Sequence, residues 1–142
     1  MNRVEVMMSD ERQGETVRHS ILVVDDDLDI LDQTQVFLEA AGYTVTTADG
    51  EKKAEALLKT FKPDLAVLDL MMENQDSGFI LAYKIKKLDP SIPVIIVTAV
   101  TGQTGIAFDA DSGGGSWIRA NAIIEKPIRY EQLLAEIKRL LK

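Results

Sequence analysis

Ile21-Leu22-Val23-Val24-Asp25-Asp26-Asp27 sets four uninterrupted apolar side chains directly against three carboxylates. An apolar run without polar alternation fits a strand buried on both faces, as in a parallel sheet covered by helices on either side. Working outward, the pattern of apolar strand and amphipathic helix repeats. Ile30, Thr34, Phe37, Leu38 and Ala41 recur at helical spacing, and Gly42 stops that helix. Tyr43 to Ala48 is rich in Thr and Val and reads as a second strand. Ala54, Leu57, Leu58 and Phe61 mark a second helix ending near Pro63. Leu65 to Leu68 is another buried strand, closing on Asp69, and Phe79, Ala82, Tyr83 and Ile85 give a third helix before Pro90. Val94-Ile95-Ile96-Val97 closes on Thr98 as a fourth strand. Ala122-Ile123-Ile124 is a short fifth strand before Glu125-Lys126-Pro127, and Leu133, Leu134, Ile137, Leu140 and Leu141 line a last helix.

Strands alternating with helices imply right-handed crossovers, hence an α/β fold: a doubly wound five-stranded parallel sheet with helices on both faces. In such sheets the functional crevice lies at the carboxyl ends of the strands. The residues expected there are Asp25, Asp26, Asp69, Thr98 and Lys126.

The chain has 142 residues, which suits one core and leaves little room for a second. Its 46% hydrophobic and 27% charged content is that of an ordinary globular protein. No apolar run approaches about 18 residues, so no membrane span is expected. The absence of cysteine excludes disulfides, thiolate metal sites and a cysteine nucleophile, and nothing suggests an oxidising compartment; a cytoplasmic setting is expected. A net charge of −7 argues weakly against a nucleic-acid surface. Residues 1–19 carry mixed charge, lack a secretory pattern and are expected to form a flexible leader, with the folded domain spanning 20–142.

Three carboxylates in one crevice raise one another's pKa, and a divalent cation relieves the repulsion. Oxygen-only ligands select a hard ion such as Mg²⁺, with Mn²⁺ as an alternative. Lys126 adds a compact positive charge suited to a phosphoryl oxygen, and Thr98 a hydroxyl donor. A carboxylate can itself attack phosphorus to give an acyl phosphate, with catalysis resting on positioning and charge neutralisation. Taken singly, a strand-end Asp is more often a helix cap or turn residue, and Asp27 and Asp29 fit that role at the opening of the first helix. The joint appearance of all five groups, each at a strand end, favours a site.

Ile21-Leu22-Val23-Val24-Asp25-Asp26-Asp27, Leu65-Ala66-Val67-Leu68-Asp69-Leu70-Met71-Met72, Val94-Ile95-Ile96-Val97-Thr98-Ala99 and Ile124-Glu125-Lys126-Pro127-Ile128 resemble the bacterial response-regulator receiver family, from about Ser20 to Lys142. The resemblance implies sheet order 2-1-3-4-5 and Asp69 as the phospho-acceptor. It implies Mg²⁺ held by Asp25, Asp26, Asp69 and the backbone carbonyl of Met71, with Asp26 ligating directly and Asp25 partly through water. It also implies that Thr98 and Lys126 meet the phosphoryl group. A sensor histidine kinase or histidine phosphotransfer protein would be the donor, with slow intrinsic dephosphorylation and no turnover of an external substrate.

Three features depart from the family pattern. Glu73 stands where a Pro is usual, and the following Gly comes one residue late; the extra carboxylate is expected to face solvent, the alternative being that it slows anionic donors. Thr98 and Lys126 are 28 residues apart, and Gly102, Gly105 and the run Gly113-Gly114-Gly115 oppose the helix expected between them. That helix is expected to be shortened or disordered, with the 101–116 stretch forming a long loop pinned by Phe108 and Trp117. Ile123 occupies the position of the usual aromatic switch residue, so ordering of the Gly-rich loop is the expected alternative coupling.

Two rivals fit less well. A haloacid-dehalogenase-type phosphatase would need a D-x-D-x-T/V pattern and a cap domain. A flavodoxin-like cofactor binder would need a phosphate loop where Asp25 to Asp27 stand. A degenerate receiver acting as a phosphorylation-independent interaction module is the remaining alternative. With the last helix reaching Lys142 and no helix-turn-helix in the sequence, direct DNA binding is not expected, and output would pass to a downstream protein partner.

Overall fold

Successive side chains of β1 (Ser20–Val24) point to opposite faces of the sheet, so its unbroken apolar run needs a cover on both sides. The computed structural model of the protein describes residues 18–99 and 120–141. Along these, β1 is followed by α1 (Leu28–Ala40), β2 (Thr44–Ala48), α2 (Glu51–Leu58), β3 (Leu65–Asp69), α3 (Ser77–Leu88), β4 (Val94–Thr98), β5 (Ala122–Glu125) and α4 (Tyr130–Leu140). The five strands form one parallel sheet in the order β2-β1-β3-β4-β5, the order implied by the sequence resemblance.

The period of two in the strands sorts the core into two layers. Leu22, Val24, Ala66, Leu68, Val94 and Ile96 pack with Ala54 of α2 and with Phe79, Leu81, Ala82 and Ile85 of α3. Ile21, Val23, Leu65, Val67, Ile95 and Val97 pack on the other face with Leu31 and Leu38 of α1 and with Leu133 and Ile137 of α4. The central strands β1, β3 and β4 are buried almost end to end, which explains why they read as continuous apolar runs rather than alternating ones. Between α1 and α4, the fully buried Thr34 places its hydroxyl 3.2 Å from that of Tyr130, whose ring lies 5.1 Å from Phe37. The hydroxyls satisfy each other in a part-buried contact between two helices.

Helix boundaries differ from the sequence expectation where local chemistry sets them. α1 starts at Leu28, because Asp27 is its N-cap and accepts from the amides of Asp29 and Ile30. The cap role expected for Asp27 is the observed one, and Asp29 lies in the first turn. α2 ends at Leu58, before Phe61, which nevertheless packs against the α2–α3 layer. Nearly all of the leader expected over 1–19, and the shortened or disordered helix, the 101–116 loop, Phe108 and Trp117 expected before β5, lie outside the described residues.

Gly42 follows α1 with φ +103°, a conformation that side chains other than glycine resist, and a Cβ there would meet nothing within 4 Å. Gly42→Ala is therefore expected to cost about 1–2 kcal/mol through backbone strain alone, read as a lower urea midpoint with an unchanged slope.

Candidate functional site

The parallel sheet brings the ends of β1, β3, β4 and β5 to one edge, and there the residues singled out from sequence meet. Asp25 follows β1, with its amide donating to Ala48 O at 3.2 Å. Asp69 is the last residue of β3 and lies level with Val97 of β4. Thr98 ends β4, and its carbonyl accepts from Lys126 N at 2.8 Å, fixing the chain directly after β5. Asp25, Asp69 and Thr98 are 3%, 6% and 2% exposed, whereas Asp26 is open to solvent. Carboxylate oxygens of Asp25, Asp26 and Asp69 all lie within 4.8 Å of one another. The Lys126 ammonium stands 3.2 Å from Asp25 Oδ2 and 3.2 Å from Asp69 Oδ1, bridging the two buried acids. Asp26, Asp69, Met71, Thr98 and Lys126 line a single cleft of about 220 Å³.

The charges explain the ionisation behaviour. Burial, then the neighbouring Asp25 carboxylate, push the Asp69 carboxyl up to about 6 against the opposing pull of Lys126. Burial alone would lower the Lys126 ammonium, but Asp25 and Asp69 outweigh it and hold that group above its ordinary value. One ammonium therefore faces three carboxylates. The donor set is all oxygen, clustered and in excess of its counter-charge, which fits a hard divalent cation such as Mg²⁺.

Neither Gly78 nor Ser77 was given a role in the site from sequence. Gly78, at the start of α3, lies so close to β3 that a Cβ would sit 2.6 Å from Asp69 O and 2.7 Å from Leu70 Cα, and its amide donates to Leu70 O at 2.7 Å. This contact lets α3 abut β3. Ser77 Oγ accepts from Asn74 N at 3.0 Å and closes the loop between them. The turn-rich run Asn74-Gln75-Asp76-Ser77-Gly78 signals such a loop, but nothing local shows where its glycine docks. Glu73 is exposed, as expected, yet its carboxylate is engaged: it accepts from the amide of Glu51, the main cause of its lowered pKa, and from that of Lys52. Ile123, where an aromatic is usual, is partly buried against the α2–α3 layer.

The fold and site define a response-regulator receiver domain, and the chain belongs to that family: residues 21–138 match the family model of the response regulator receiver domain. Over 124 residues the chain is 35% identical to the DNA-binding dual master transcriptional regulator RpaA of Synechocystis, covering 86% of this chain and 48% of that protein. The chain thus spans about half the length of the curated relatives it matches. Among solved structures, it is similar to a CheY-like receiver domain protein of Methanospirillum hungatei, at 31% identity and TM-score 0.73 over 88% of this chain and 94% of that one. It is also similar to the response regulator TrrA of Thermotoga maritima solved with Mg²⁺–BeF, at 27% identity and TM-score 0.71 over 87% of this chain and 99% of that one. Receiver domains are signalling domains rather than enzymes with an external substrate. Among the described residues, no helix is long and apolar enough to cross a membrane.

Two predictions follow from the packing and charge of the site. An acid whose pKa rises from 3.8 unfolded to about 6 folded holds a proton in the folded state that the unfolded chain releases. Metal-free stability contributed by Asp69 is therefore greatest near pH 4 and is lost as pH rises through 6. Asp69→Asn should melt higher than wild type at pH 8 in chelator, with the gain vanishing towards pH 4; equal melting temperatures at pH 8 would contradict it. Gly78→Ala forces α3 away from β3 and is expected to cost about 1–3 kcal/mol by overpacking, measured by chemical denaturation.

Proposed function

We propose that the protein is a phosphorelay response regulator in which Asp69 accepts a phosphoryl group, switching conformation and partner binding. The observation that carries this is the Lys126 ammonium bridging buried Asp25 and Asp69 within a three-carboxylate cluster at the strand ends. The likeness to TrrA, solved with Mg²⁺–BeF, supports the same reading.

Asp25, Asp26, Asp69 and the Met71 carbonyl would hold Mg²⁺, which when bound neutralises the negative charge of the carboxylates and of an incoming phosphoryl group. A carboxylate oxygen of Asp69 attacks phosphorus of a phosphohistidine; the new O–P bond forms as the P–N bond breaks, and the imidazole leaves with its electron pair. Lys126 exchanges its ion pair with Asp69 for one with a phosphoryl oxygen, so the charge that stabilises the acceptor before reaction stabilises the product after it. Thr98 donates its hydroxyl to another phosphoryl oxygen. The donor is a sensor histidine kinase or histidine phosphotransfer protein. The reader is a downstream protein, and the setting is the cytoplasm. The receiver occupies 20–142, preceded by the leader at 1–19.

Incubation with acetyl phosphate and Mg²⁺ should add one phosphoryl mass to the protein, and Asp69→Ala should abolish it. Unmodified wild-type protein under these conditions would falsify the reading. Lys126→Ala, with the fold retained, should slow phosphorylation by about a hundredfold, read from the time course of intact mass.

A further inference from the structure

The loop from β3 to α3 is tied to the start of α2. Glu73 Oε1 accepts from Glu51 N at 2.8 Å and Oε2 from Lys52 N at 3.3 Å. The first amides of a helix have no partner inside it, and a carboxylate both satisfies them and meets the positive end of the macrodipole. α2 supplies no cap of its own, because Gly50 at its N-cap has no side chain. Gly50 also leaves the room the contact needs: a Cβ there would lie 2.8 Å from Glu73 Oε2. Its φ of 179° is extended backbone open to any residue, so the glycine serves space rather than conformation.

The contact closes a ring around the acidic cleft. Lys126 joins Asp25 to Asp69, and Asp25 N donates to Ala48 O at the end of β2. From there the chain runs through Gly50 to the start of α2, which Glu73 grips. From Glu73 it returns through Met71, which lines the cleft, to Asp69. Leu70 N donates to Val97 O of β4 at 2.9 Å and Asn74 is tied to Ser77, so among the described residues Glu73 adds the fastening of this segment to α2.

We propose that Glu73 is a positioning residue for the acceptor site: by clamping the β3–α3 loop to the N-terminus of α2, it holds the Met71 carbonyl towards the cleft and so sets the affinity for Mg²⁺. The proposal rests on the phospho-acceptor reading of the site. It gives the carboxylate that replaces the family's usual Pro a structural origin, since Glu73 supplies from across the loop the anchorage that a rigid residue would supply locally.

The test uses the full chain with Glu73→Ala, Glu73→Gln, Gly50→Ala and the Glu73→Ala/Gly50→Ala pair, titrated calorimetrically with Mg²⁺ alone, alongside amide hydrogen exchange. Glu73→Ala and Gly50→Ala should each weaken Mg²⁺ binding by about tenfold, as losing a group that orients a metal ligand does. The pair should be no weaker than either single variant, because both break one contact. Glu73→Gln, which keeps an acceptor oxygen, should recover most of the affinity. Exchange should quicken at Glu51 and Lys52 and through the segment from Leu70 to Asn74. Unchanged Mg²⁺ affinity in folded Glu73→Ala and Gly50→Ala, with faster exchange only at Glu51 and Lys52, would reduce Glu73 to a helix cap and overturn the proposal. If Glu73→Ala does not fold, Gly50→Ala decides the same point. Wild-type protein that takes up no Mg²⁺ overturns the acceptor reading itself, a result distinct from equal binding by wild type and variants.

Discussion

Three carboxylates held within 4.8 Å around one ammonium set the demands that the rest of the molecule meets. Two like charges about 4 Å apart repel by on the order of 4 kcal/mol at an effective dielectric of about 20. That is a large fraction of the 5–15 kcal/mol by which a typical domain is stable. Lys126 offsets part of the repulsion, and burial together with the Asp25 charge leaves the pKa of Asp69 raised. A cluster with an unmet demand for positive charge is one whose state a cation or a phosphoryl group can change.

The fold can carry this cost because the strain sits at one edge of a core that is otherwise mostly apolar. β1, β3 and β4 are packed on both faces, so the strand ends that present Asp25, Asp69 and Thr98 are anchored by Leu22, Leu68 and Ile96 on one side and by Val23, Val67 and Val97 on the other. Rigid strands fix the acids, while the loops that follow tie the strand ends to the neighbouring helices. The β3–α3 loop shows the division clearly. Gly78 presses α3 against the backbone of Asp69, and Glu73 reaches away to α2, so one short segment is held by steric contact at one end and by hydrogen bonds at the other.

The strands and the groups at their ends were legible in the sequence for a simple reason, while the strand order came only as what the family resemblance implies. A strand buried on both faces must be apolar throughout, so the first polar residue after each run marks the carboxyl end of a strand. Asp25, Asp69 and Thr98 were found in this way, and Lys126 by its place after the last short run. Asp27 was legible as a cap because capping is local, involving amides two and three residues on. What the tertiary structure alone decided lies across longer separations. The bond from Glu73 to Glu51 spans 22 residues, the hydroxyl contact of Thr34 with Tyr130 spans 96, and the seat of Gly78 on Asp69 depends on how closely α3 approaches β3. Periodicity records which face of an element is buried, but it carries no information on which distant backbone amide an exposed carboxylate will reach. The strands and the residues at their ends were therefore written in local patterns, whereas the hydrogen bonds from Glu73 to α2, and the raised pKa of Asp69, exist only once the chain has folded.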